Sequence, residues 1–213
     1  MLMDVGKLRI DQELLQAERS LSEEEMAAMR DHVRYGLEIV EESGVINQDV
    51  IDIVAYHHER FNGSGYPNGL RSDDIPAFAR IAAIVDTYDA VTSNRSHADA
   101  RSPSDAIKLL YSARNSDFQA ELVEAFIQAV GIYPAGTLVE LSSGEVGVVV
   151  AEYRTRRLRP KVMLLLDANK RELRDNRMID LQEECDGEEA PSLRILRSLE
   201  PGAYDLDLSA VAI

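Results

Sequence analysis

Residues 54–70 read VAYHHERFNGSGYPNGL, and the change of code inside that stretch decides the fold. Val50, Ile51 and Val54 recur at helical spacing behind Asn47, whose side chain suits a helix N-cap. His57 and His58 continue that apolar face at i+3 and i+4 from Val54, which directs both rings inward. The segment ERFNGSGYPNGL that follows is too rich in Gly, Asn and Pro for helix or strand, so it reads as a structured loop. Helical periodicity resumes near Ala77 and lasts to about Thr92, with Ile81, Ile84, Val85, Tyr88 and Val91 as its apolar positions.

Upstream, Ser22 and Glu25 have capping-box spacing, since each side chain can satisfy the other residue's orphan backbone donor. The pattern predicts a helix from about Glu23 to Glu42, with Met29, His32, Val33, Gly36, Ile39 and Val40 as its inner stripe. Gly44 stands where a left-handed C-cap residue is expected. Downstream, Pro103 starts a helix from Ser102 or Ser104 to about Ala113, and another spans Phe118 to Val130, ended by Gly131. After Tyr133-Pro134 the code becomes β. TLVEL and VGVVVAEY flank the turn SSGE, and KVMLLLD follows a second turn region, which predicts a small antiparallel sheet. The acidic run from Glu183 to Pro191 is expected to be mobile. The predicted architecture is therefore mainly α over residues 1–133, with a small antiparallel β-rich extension over 134–213.

The 213 residues carry 23 basic and 38 acidic side chains, a formal net charge of −15. Such a chain lacks the basic footprint of a polymeric nucleic-acid binder. No apolar run approaches the roughly 18 residues of a membrane span. The start, MLMDVGKLRI, has neither the basic n-region nor the long apolar stretch of a signal peptide. A single cysteine, Cys185, cannot close an internal disulfide, so a cytoplasmic location is expected. Residues 1–133 hold 12 basic and 23 acidic side chains. In the remainder, Arg154, Arg156, Arg157, Arg159 and Lys161 form a basic cluster. A solvated turn between strands accounts for it more readily than an anion site.

There are only four histidines, and His32, His57 and His58 fall on inward faces near carboxylates. A lone His on an apolar helix face is ordinarily a hydrogen-bonded core residue. Two adjacent imidazoles, about 100° apart at one helix end, are costly to bury without strong partners. Metal ions would supply those partners, with His32, Asp4 and Asp86 completing a mixed nitrogen and oxygen shell. Asp86 lies one position off its apolar stripe, on the side of Ala79, Ala82, Ala83 and Ala90. Alone it would be an ordinary polar helix position.

The run His57-His58-Glu59-Arg60-Phe61-Asn62-Gly63-Ser64-Gly65-Tyr66-Pro67-Asn68-Gly69-Leu70 resembles the signature of the HD-GYP domains. As in that family, it is followed by Ala79-Arg80-Ile81 and Asp86-Thr87-Tyr88-Asp89-Ala90. Asp4-Val5-Gly6-Lys7 resembles the segment that begins with the aspartate of the HD pair. The resemblance spans roughly residues 1 to 133. It implies an HD-domain helical bundle and a metal-dependent phosphodiesterase that converts cyclic di-GMP to linear pGpG or GMP. Carried over, it places metal ligands at Asp4, His32, His57, His58 and Asp86, holding a pair of divalent ions, Fe or Mn. Asp4 is then the bridging carboxylate. Lys7 approaches the scissile phosphate, and Arg95 contacts guanine or phosphate. Gly65, Tyr66 and Pro67 form the loop beside the pocket, with Tyr66 offering a stacking face or hydroxyl. A structural or partner-binding role for that loop is equally open. A cationic metal site also lets an acidic protein take a dianionic dinucleotide.

The sequence departs from the family in two places. Met3 stands where the HD histidine belongs, and a thioether is a poor ligand for Mn²⁺ or Fe²⁺. Arg95-Ser96-His97-Ala98 replaces the usual Arg-Pro-Tyr-basic run, and His97 reads as a surface residue. The helices that precede the HD pair in the family are not in this sequence, so an exposed apolar surface is expected, coverable by a partner or a second copy. These departures raise an alternative to the impaired phosphodiesterase. It is a catalytically degenerate module that binds cyclic di-GMP or a diguanylate cyclase domain through the Gly65-Tyr66-Pro67 face.

Overall fold

The computed structural model describes residues 2–45, 47–93, 100–153, 156–183 and 193–206. Arg95, His97, Arg154, Cys185 and nearly all of the acidic run 183–191 lie outside them. The chain divides into two compact units, Met1–Asp99 with Leu109–Phe126, and Ala100–Lys108 with Ile127–Ile213.

The first unit opens with a 3-10 helix over Leu2–Arg9, then α1 (Gln12–Leu15) and α2 (Glu23–Arg30). The Ser22/Glu25 capping box forms in full, both reciprocal bonds being present. The single helix expected from Glu23 to Glu42 is instead two, because Asp31 interrupts it and α3 runs His32–Glu42. The amide of Asp31 points at the carbonyls of Ala27, Ala28 and Met29, so the chain tightens there for one residue before continuing. On α3, His32, Val33, Gly36 and Val40 are buried, four residues of the inner stripe read from the periodicity, while Met29 of α2 and Ile39 are half-buried.

Gly6 is the reason the 3-10 helix can lie on α3. A Cβ at Gly6 would stand 1.9 Å from the His32 carbonyl oxygen and 2.4 Å from the Gly36 nitrogen. No side chain fits there, and the close approach carries Asp4 to the first turn of α3.

Asn47 caps α4 (Gln48–Tyr56), accepting from the amides of Asp49 and Val50. The helix stops one residue short of the histidines. His57 is its C-cap, so the ring pair belongs to the helix end and to the loop rather than to a continuing face. Helix α5 spans Ala77–Thr92, with Ala79, Ala83 and Ile84 buried. Helices α6 (Pro103–Ser112) and α7 (Ala120–Val130) follow, and Gly131 beyond α7 has φ +89°, the left-handed stop expected of it. Leu2, Met3, Val50, Ile53, Val54, Phe78, Ile81, Ala82 and Val85 border an apolar groove of about 340 Å³.

In the second unit, β1 (Leu138–Leu141), β2 (Val146–Ala151), β3 (Lys161–Leu166), β4 (Glu172–Asp180) and β5 (Ile195–Ser198) build one sheet in the order β4-β3-β2-β1-β5. All neighbouring pairs are antiparallel. Val139, Leu141, Val149, Val162, Leu164, Ile179 and Leu181 form one apolar cluster. Leu138, Val146, Val148, Leu165, Leu166 and Leu199 form another. Residues of the central strands β1, β2 and β3 go to both clusters, so this part of the sheet is apolar on both faces. The nearly continuous apolar run in VGVVV is the sequence consequence. The edge strands β4 and β5 were not anticipated. ELRDNRMID is highly charged, and its place comes from pairing with β3 through contacts such as Val162 opposite Ile179; tertiary pairing overrides the weak local signal.

A candidate metal centre

Four side chains meet at the junction of the 3-10 helix, α3 and the end of α4. Asp4, His32, His57 and His58 each present a ligand atom, all within 4.8 Å of one another. His32 and His57 are buried. His32 Nε2 lies 3.6 Å and His57 Nε2 3.9 Å from Asp4 Oδ1, and His58 Nε2 lies 3.2 Å from His32 Nε2.

Backbone carbonyls orient two of the rings. His32 Nδ1 is 2.8 Å from the Met29 oxygen, and His57 Nδ1 is 3.0 Å from the Ile53 oxygen and 3.2 Å from that of Val54. A carbonyl only accepts, so in each neutral ring Nδ1 carries the hydrogen and Nε2 turns a lone pair toward the cluster. His57 Nε2 is buried with no hydrogen-bond partner, and Asp4 Oδ1, although ion-paired to Lys7 Nζ at 2.8 Å, has no donor aligned on it. An unsatisfied buried lone pair is costly. Three imidazole nitrogens and a carboxylate oxygen, aimed together with His57 Nε2 left without a partner, fit a divalent metal of the Mn, Fe or Zn class.

The protonation states agree with that fit. Burial pushes His58 down to about 2, helped by the neighbouring His57 and His32. Burial also lowers His57, opposed by the Asp4 charge. Both rings are therefore neutral, as ligands must be. Burial alone would raise the Asp4 carboxyl, but the neighbouring Lys7 ammonium leads the groups that outweigh it and hold the carboxyl below its ordinary range.

Asp86 on α5 is not within the mutual distance that joins those four. It is near enough for its charge to favour protonation of His57. Tyr66 stacks on His58, with ring centroids 4.6 Å apart and 22° between planes, and burial pushes its hydroxyl up to about 12. Gly65 is required where the loop folds back, because a Cβ there would stand 2.4 Å from the Arg60 nitrogen. The Tyr66-Pro67 peptide is cis. Met3 is buried and borders the apolar groove.

The residue that sequence reasoning missed is Glu59. It is almost fully buried, and its carboxylate accepts from the amides of Asn68 at 2.7 Å and Leu70 at 3.0 Å. The loop is thus closed from inside on the residue next to His58. An acidic side chain immediately before a Gly- and Asn-rich loop was the available signal, since such loops leave amides in need of acceptors.

Residues 1–122 match the HD domain family, and residues 138–204 match the KOW domain associated with HD domains. A cyclic di-GMP phosphodiesterase of Pseudomonas aeruginosa is 33% identical over 181 residues, covering 85% of this chain and 44% of that protein. A 3′3′-cGAMP-specific phosphodiesterase of Vibrio cholerae is 39% identical over 128 residues, 60% of this chain and 24% of the relative. Among solved structures, an HDGYP protein from Bdellovibrio bacteriovorus matches with a TM-score of 0.46 and 24% identity, over 57% of this chain and 38% of that one. The chain spans less than half the length of these relatives. Among the described residues no helix is long and apolar enough to cross a membrane.

Proposed function

The chain belongs to the HD domain family, and from that premise we propose that it is a metal-dependent phosphodiesterase that hydrolyses cyclic di-GMP to pGpG and GMP. The observation that carries this reading is the convergence of Asp4, His32, His57 and His58, with a buried, unpartnered Nε2 on His57. In this reading the HD unit occupies residues 1–133 and the β region 134–213. Asp4, His32, His57 and His58, with Asp86, would hold a pair of Fe or Mn ions, and Asp4 would be the carboxylate common to both. The chemistry supplied by bound metal is Lewis-acid polarisation of the phosphodiester and activation of water near neutral pH.

The chain's own residues do the rest. Lys7, on the turn after Asp4, offsets charge that builds on the phosphate oxygens. The His58–Tyr66 stack keeps the ring of Tyr66 beside the site, as a platform for a base or a donor to the dinucleotide. Arg95 is the guanine- or phosphate-contacting residue of the same reading. The backbone hydrogen bonds on His32 and His57 fix their tautomers, so no ring has to rotate before ligation.

The test is metal analysis coupled to turnover. Protein equilibrated with Mn²⁺ or Fe²⁺ is expected to retain at least one ion per chain and to release linear product from cyclic di-GMP. His57→Ala should abolish both. Protein that retains less than one ion per chain and yields no product after loading with either metal overturns the catalytic reading. A second reading is favoured by Met3, which is buried beside the apolar groove and offers a thioether where the resemblance places the HD histidine: a binding module for cyclic di-GMP or a diguanylate cyclase domain, without turnover. Met3→His decides between them, because gain of metal or activity shows that the remaining site is sound.

A further inference from the structure

Among the described residues three cations lie at or near the His/Asp cluster, and two are already engaged. Lys7 is ion-paired to Asp4. Arg60 donates to the carbonyls of His57 and Glu59 and lies over the Phe118 ring. The third is Arg30, in the last turn of α2, whose guanidinium carbon sits 4.9 Å from the centroid of Tyr66. Among the described residues it makes no ion pair, and it is exposed.

A guanidinium held near a ring by cation–π attraction spends no N–H group on a hydrogen bond there, so its donors remain available. Tyr66 in turn lies against His58, so Arg30 stands one ring away from the cluster. A cyclic dinucleotide carries two phosphates. If one is taken at the cluster and Arg95 is given to a guanine, the other needs a further cation, and an Arg fork suits a phosphate better than a flexible ammonium does.

We propose that Arg30 is a substrate-binding residue that takes the second phosphate of the cyclic dinucleotide. The assignment rests on the cyclic-dinucleotide reading above. The test is calorimetric titration of cyclic di-GMP into Mn²⁺-equilibrated full chain, comparing the wild type with Arg30→Met and Arg30→Lys, alongside metal content and Tm. The Met variant keeps an apolar stem over Tyr66 but no charge. It is expected to bind about tenfold more weakly, the scale of one charge-assisted hydrogen bond, with metal content and Tm unchanged. The Lys variant should recover most of that loss. Wild-type affinity in the Met variant overturns the assignment alone. Equal weakening in both variants with a lowered Tm also overturns it, because Arg30 would then be a prop for Tyr66. No binding by metal-loaded wild type removes the cyclic-dinucleotide reading, and the assignment with it.

Discussion

Glu59 shows how much one buried charge organises. Its two carboxylate oxygens are taken by the amides of Asn68 and Leu70. Glu59→Gln keeps one acceptor and turns an NH₂ toward the other amide, leaving that donor unsatisfied. A loss of about 1–3 kcal/mol is expected, read by thermal denaturation, with faster amide exchange at residues 68–70. Unchanged exchange there would refute the role assigned to the carboxylate. The histidines make a second prediction. His58 and His57 titrate below their unfolded values because burial disfavours the charged ring. Below pH about 6.5 the unfolded chain binds protons that the native rings refuse. The stability these neutral rings contribute to metal-free protein is therefore complete above about pH 6.5 and falls as the pH drops below it. Melting curves across pH 7 to 4 should show this decline, and it should be shallower in His58→Gln.

At the scale of elements, the 3-10 helix and α3 depend on Gly6. A methyl group at that position cannot be accommodated against backbone atoms at 1.9 and 2.4 Å. Gly6→Ala should move the 3-10 helix and withdraw Asp4 from the imidazoles. Metal affinity is expected to fall while the sheet of the second unit keeps its amide protection. The start of α2 offers a gentler case. Ser22 accepts from the Glu25 amide and Glu25 returns the bond, so Ser22→Ala should cost about 1 kcal/mol. Glu25 is held down to about 2 by Arg19 and the Ser22 amide. Its contribution is present above its unfolded value and is lost as the pH falls from about 4.5 toward 2, which NMR titration of Glu25 can follow; Arg19→Ala should raise its midpoint. These caps were legible because they rest on residues three apart. The break at Asp31 was not, since the apolar stripe runs straight through it, and neither were β4 and β5, whose strands exist through pairing with β3 and β1.

For the molecule as a whole, metal binding is a stability statement as well as a chemical one. A ligand that binds only the folded state at a hundred times its Kd stabilises by about 2.7 kcal/mol. Adding Mn²⁺ to chelator-treated protein should therefore raise the melting temperature. The gain in exchange protection should concentrate in α3, the end of α4 and the loop to residue 70, because the ligand cluster found among the described residues lies there. A uniform gain, or none, would count against a specific site.

The sequence alone determined what depends on near neighbours: the adjacent histidines at the end of α4, the Gly and Pro loop after them, the buried stripe of α3, the extent of α5, and the passage to β structure after Pro134. Those features follow from the 3.6- and 2-residue periods and from backbone restrictions acting over a few residues. Tertiary structure decided which groups form the cluster. Asp4 joins the imidazoles across 28 and 53 residues because Gly6 permits the approach, whereas Asp86 stands outside the closest four. It also decided the tautomers of His32 and His57, the inward turn of Glu59 and the posting of Arg30 over Tyr66. Lone-pair direction, desolvation and ring contact are set by distances between segments, and no local spacing encodes them.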